Sequence, residues 1–390
     1  MLSIKEQIKH LLKTAIDYYE KDEYEAAEVL TRQAYNIFNE NFNTEDDLLA
    51  KNYIAKAQNF ILKKDIKQAL DLFQQAYKLN SGFKLGFLGY LFCLFELKKY
   101  KDAWELYEDR LNLFDSLISF QRIFKDAKKW DGKKELKEKT VLIDCEQGLG
   151  DQINFIRYTK VLKERHKCKI KLLCAKPLKE LFEKLEISEV IHCKEEINSD
   201  STINFDYYVP QMSLPYLLKE FDPITFSDPY INYTSKFNFP EKEFKIGIMW
   251  QGSDKNLHNE ERLVKPEFFE ILISEKIKLF NLHNELECPL PEVKDLTNYI
   301  DNFLDLAKII NGLDLVITID TAVLHLAGAM GKETWAILPF QHGWRWGLSE
   351  EINWYKSVKI FRQPKPNDWN TVFLKIRDEL HKCHLKSSKK

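Results

Sequence analysis

Three stretches of this 390-residue chain combine carboxylates, cations and glycines in patterns able to take up a proton and hold an anion. The first is CEQGLGDQINFIRY, from Cys145 to Tyr158. Gly148 and Gly150 permit a tight turn with backbone close to a ligand, and Asp151 opens the helix that follows. Its carboxylate is a candidate base, and equally a plain helix cap. The turn is neither GxGxxG nor a P-loop, since no GK[ST] follows. The second stretch is MWQGSDKNLHNEERLVKP, from Met249 to Pro266, a polar loop directly after a buried strand. Behind Trp250 and Gly252, the cations Lys255, His258 and Arg262 could gather over an anion. A solvated charge run is the competing reading, stronger for Lys255 than for Arg262, which stands beside an apolar step.

The third stretch is ITIDTAVLHLAGAMGKETWAILP, from Ile317 to Pro339. A strand ends at Asp320 and a helix begins near Thr321 and Ala322, whose exposed amides and positive dipole end suit a phosphate. Asp320 could be only a cap, and His325 reads as a packed helix residue rather than a base. Downstream, Trp344, Arg345 and Trp346 lie close to His342 and Trp354. Core packing accounts for one or two of these aromatics. Three interleaved with cations suggest a cleft wall for a planar or sugar ligand.

These loops need strands to aim them. After Thr140 come short apolar runs, VLIDC, KIKLLC, EVIHC and DYYVP, and later FKIGIMW, IKLFNLH, LDLVITID, TWAILP and VKIF, separated by amphipathic stretches. This alternation predicts two parallel sheets covered on both faces. The Pro- and aromatic-rich FDPITFSDPYINYTSKFNFPEKE forms the crossing between them. Two such domains place a cleft at the carboxyl ends of their strands.

Between Ile4 and Leu113 the apolar residues instead recur at helical spacing. Tyr24, Ile66 and Tyr100 are each followed three residues later by Ala27, Ala69 and Ala103, at intervals of 42 and 34 residues. The second interval is the tetratricopeptide period, and the first adds an insertion. Stacked hairpins of this kind form a groove able to dock a protein segment, or merely brace the next domain. The expected organisation is a repeat domain over 1–120, a linker over 121–139 anchored by Trp130, and sheet domains over 140–235 and 236–390.

The balance of 58 basic and 60 acidic residues, with pI about 6.5, argues against a dedicated nucleic-acid binder. The apolar run Phe87 to Leu97 falls short of the roughly 18 to 20 residues of a membrane span, and no export signal is visible. Seven scattered cysteines without a CxxC pair suit a reducing cytoplasm. His381, Cys383 and His384 lie in a Lys-rich tail with no fold to orient them, so no metal site is expected there.

Taken in order, the helical repeats, WDG, EQGLGDQINFIRY, the Trp250 loop with Arg262, IDTAVLHLAGAMGK, PFQHGWRW, NWY, FRQP and NDW resemble bacterial proteins that fuse tetratricopeptide repeats to a domain similar to glycosyltransferase family 9, the heptosyltransferases. The resemblance runs over nearly the whole chain. It implies a GT-B fold of two Rossmann-like domains behind the repeats, and inverting transfer of a sugar from a nucleotide donor. Asp151 falls on the proposed general base. Asp320, Thr321 and the helix start fall on the phosphate-binding motif, and Arg262 falls where a cation offsets leaving-group charge. Val323 and Leu324 depart from the Gly and Ser frequent in heptosyltransferases, so the donor sugar does not carry over. With no DxD triplet, no metal is expected, nor any cofactor beyond the donor substrate. The resemblance points to a protein acceptor, flagellin being the natural example. The alternatives are a lipopolysaccharide or other glycan acceptor, and a non-catalytic scaffold.

Overall fold

The computed structural model describes residues 45–113, 127–197, 203–252, 262–283, 285–340, 342–348 and 354–387, with His10, Leu11, Thr14, Leu30, Gln33 and Phe124 as isolated positions. Tyr24 and Ala27 of the first repeat, and the loop cations Lys255 and His258, lie outside the described residues. The chain divides into two units, 1–99 and 100–390.

In the first unit, the helices Glu45–Leu62, Ile66–Leu79 and Lys84–Glu96 follow one another across short links. Asp65 caps the second by accepting from the Gln68 N–H. Ile66, Ala69, Leu70, Phe73 and Ala76 recur on its buried face, the pattern of an amphipathic helix packed on neighbours. At Gly89 an added Cβ would come 2.3 Å from the Phe73 ring, so the absent side chain lets the two helices close up.

The second unit begins with the helix Tyr100–Tyr107, which the repeat alignment groups with the front helices. Trp104 of that helix is fully buried and donates through Nε1 to the Phe221 carbonyl at 2.8 Å. Trp130, in the stretch expected as a linker, is also buried. Its backbone N–H bonds the Tyr208 carbonyl and its indole N–H the Lys134 carbonyl. This segment is therefore laid along the edge of a sheet.

Two all-parallel sheets follow. The first has the order β3-β2-β1-β4, formed by Thr140–Asp144 (β1), Lys169–Cys174 (β2), Val190–Cys193 (β3) and Tyr207–Pro210 (β4). The second has the order β10-β9-β8-β5-β6-β7, from Phe244–Met249 (β5), Ile277–Asn281 (β6), Val293–Asp295 (β7), Leu315–Ile319 (β8), Thr334–Leu338 (β9) and Val358–Arg362 (β10). Each strand run read from the sequence is a strand, and β8 and β9 are buried throughout, as expected where both faces are covered. A core of Ile246, Ile248, Ile317, Ile319 and Trp335 packs against Phe373 and Ile376 of the closing helix Trp369–Ser387.

Strand order reverses beside β1 in the first sheet and between β5 and β8 in the second. Ligands of open parallel sheets bind at such reversals, outside the carboxyl ends of the strands. The glycine turn leaves β1, the Trp250–Arg262 loop leaves β5, and Asp320 and Thr321 leave β8. All three sequence stretches thus sit at reversal points. Among the described residues, no helix is long and apolar enough to cross a membrane.

Candidate functional site

The helix Leu149–His166 starts straight after the glycine turn, and Asp151 is its third residue. One carboxylate oxygen, Oδ2, accepts the Gly148 backbone N–H at 3.0 Å, which is the capping role. The other, Oδ1, is ion-paired with the Arg345 guanidinium from the loop after β9. The sharp bend falls on neither glycine: Gln147 takes the left-handed conformation, with φ 63°. The glycines serve proximity instead. An added Cβ at Gly150 would lie 2.6 Å from His325 Cδ2 and 3.4 Å from Ala322 Cα, so this helix and the helix Ala322–Ala329 start in direct contact.

Thr321 is the N-cap of that second helix, in extended conformation, and its side chain makes no capping bond. Asp320 is therefore not the cap. Its backbone carbonyl instead accepts from Arg262 Nη1 at 2.7 Å, which brings Arg262 to the same helix start. The Nε groups of Arg262 and Arg345 are both buried without a hydrogen-bond partner. Burial pushes the Asp320 carboxyl up, and the charge of Asp151 adds to this, while Trp346, Arg345 and Arg262 oppose it.

His325 is a packed residue, as its sequence context suggested. Its ring stacks on Trp346 at 5.7 Å, and its Nδ1 stands 2.9 Å from the Tyr355 hydroxyl. Asn154 Nδ2, which can only donate, lies 2.6 Å from that hydroxyl and 3.5 Å from Nδ1. These partners leave Nδ1 as an acceptor and put the proton on Nε2, 3.8 Å from Asp320 Oδ1. Burial, then the charges of Arg345 and Arg157, hold His325 well below its ordinary pKa, so it stays neutral.

Of the proposed wall, Trp346 is 2% exposed and belongs to the packing beneath His325. Trp344 is half-buried, meeting Trp104 edge-on at 5.9 Å and carrying Arg345 4.3 Å over its ring. Trp250 is also buried and packs in the core of the second sheet. Gly252 is buried at the mouth of its loop. The structure thus brings Asp151, Gly150, Arg262, Asp320, Thr321, Ala322, His325, Arg345 and Trp346 together around the two adjoining helix starts.

Several supporting residues were missed from the sequence. Arg110 and Glu146 are both buried and bonded at 3.0 Å and 2.5 Å through two guanidinium nitrogens, with Ser213 and the Met212 N–H completing the group. Desolvation pushes the Glu146 carboxyl up and Arg110 counters it. This pair pins the glycine turn from behind, helped by Gln147 Nε2 donating to the Tyr107 hydroxyl at 2.8 Å. The signal in the sequence was an acidic residue, Glu146, two positions past the end of an apolar strand. Arg157, 4% exposed, donates to the carbonyls of Asn154, Phe226 and Trp354 and to the Tyr230 hydroxyl, tying the Asp151 helix to the crossing segment.

No family model matches the chain, and neither does any curated protein. Solved structures do. A glycosyl transferase family 9 protein from Veillonella parvula is 13% identical, over 60% of this chain and 88% of that one, with TM-score 0.43. The ADP-heptose lipopolysaccharide heptosyltransferase II of E. coli is 11% identical, over 64% and 99%, with TM-score 0.44. An O-GlcNAc transferase variant from Thermobaculum terrenum is 11% identical, over 98% and 94%, with TM-score 0.26.

Proposed function

We propose that the second unit is an inverting, metal-independent glycosyltransferase of GT-B type that moves a sugar from a nucleotide-activated donor to an acceptor hydroxyl. The observation that carries this reading is the direct contact between the start of the Asp151 helix, at Gly150, and the start of the Ala322–Ala329 helix. Inversion requires a base on the face of the sugar opposite the leaving phosphate, and fixed positive charge where that phosphate departs. Asp151 is the base. Arg262 and the amides at Thr321 and Ala322 take the leaving phosphate.

The acceptor on this reading is a protein segment held by the front helices, as the repeat resemblance implies. A thermal-shift screen of nucleotides and nucleotide sugars, followed by transfer assays with the stabilising donor, tests the donor half: one nucleotide class raises Tm, and Arg262→Ala removes most of that rise. No stabilisation by any of them would refute it. For the acceptor half, deletion of residues 1–99 is expected to abolish docking of a protein acceptor while sparing donor affinity. The cut stops there because Trp104 and Arg110 pack into the second unit.

A further inference from the structure

Arg345 occupies a position that neither substrate binding nor packing alone explains. It comes from the loop after β9 and reaches across to Asp151 on the other sheet's first helix. Its guanidinium lies 4.3 Å over Trp344 and 5.8 Å from the Phe155 ring, which fix its plane. Its charge also acts on Asp320 and on His325. Its Nε remains buried and without a partner, leaving a donor for an anion.

Asp151 Oδ1 is bonded to the Arg345 guanidinium and Oδ2 to the Gly148 N–H, so both carboxylate oxygens are engaged in this structure. We propose that Arg345 is a donor-sensing positioning residue: it holds Asp151 in the free enzyme and turns to the phosphates of the arriving donor, releasing the base only when a sugar is in place. This rests on the assignment of Asp151 as the base. The exchange is favoured by charge, since a diphosphate outweighs one carboxylate in competition for a planar fork of donors. The charged and titratable groups that act with Asp151 are Arg345, which is ion-paired with it, Asp320 from the second sheet's side, and the Tyr107 hydroxyl from the helix Tyr100–Tyr107.

The test is a double-mutant cycle on anion binding, read by calorimetry with inorganic pyrophosphate on the full chain. If Asp151 and the anion compete for Arg345, Asp151→Asn tightens pyrophosphate binding roughly fivefold or more in the wild-type background. In the Arg345→Gln background the same substitution tightens it much less, and Arg345→Gln alone weakens binding. Arg345→Lys, which keeps the charge without the fork, falls between. Equal tightening in both backgrounds would mean simple repulsion by Asp151 and would overturn the proposal, as would no tightening or no pyrophosphate binding. Far-ultraviolet circular dichroism confirms that each variant is folded. The base assignment is read separately from turnover of Asp151→Asn, so a dead variant with an uncoupled cycle refutes only the sensing role.

Discussion

Arg345 and Asp151 are 194 positions apart in the chain and form an ion pair beside two adjoining helix starts. The pair joins the loop after β9 in the second sheet to the helix after β1 in the first. A carboxylate and a helix start then share a site that neither sheet could build alone.

The Gly150 contact yields a contrast between two neighbouring glycines. A methyl group at Gly150 meets the His325 ring and the Ala322 backbone, so Gly150→Ala is expected to push the two helices apart, costing about 1–3 kcal/mol and impairing transfer sharply. At Gly148 the added carbon would approach only the Asp151 carboxylate, at 3.2 Å, from an ordinary φ of −73°. Gly148→Ala should therefore be nearly neutral in urea unfolding. Equal costs for the two would show that the helix contact does not set the geometry.

Behind the turn, Arg110→Met would strand Glu146 as a buried charge. The expected cost is about 3–5 kcal/mol in urea unfolding, with a substantial part recovered in Arg110→Met/Glu146→Gln. A single-variant cost below about 1 kcal/mol would mean that water already reaches the pair.

Much of this site was legible in the sequence because its loops directly follow apolar runs, and parallel strands aim such loops at one edge. The strand runs, the Asp151 turn and the Asp320–Thr321 helix start all fell where composition placed them. What was not legible depends on distance along the chain. Arg110 was hidden in a helical pattern, and nothing local to it names Glu146 as its partner. Asn154 and Tyr355 meet through His325 only after the sheets assemble. Trp250 and Trp346, though adjacent to chemistry, went to packing, because large rings stabilise a core by more than they gain at a rim.

The neutral His325 makes stability depend on pH in a set direction. Its folded pKa lies below the ordinary value of 6.5, so the unfolded chain takes up the proton first as pH falls. Its contribution is complete above that value and is lost on acidification. Urea unfolding at about pH 7 and about pH 5 should show a steeper loss for wild type than for His325→Gln. Parallel losses would mean that His325 takes up its proton alike in the folded and the unfolded chain.

The central claim is tested most directly by single-turnover transfer with Asp151→Asn, measured beside its affinity for the donor. The expected result is a rate lower by about 10²- to 10⁴-fold with donor binding retained or tightened. Undiminished transfer by that variant would contradict the account.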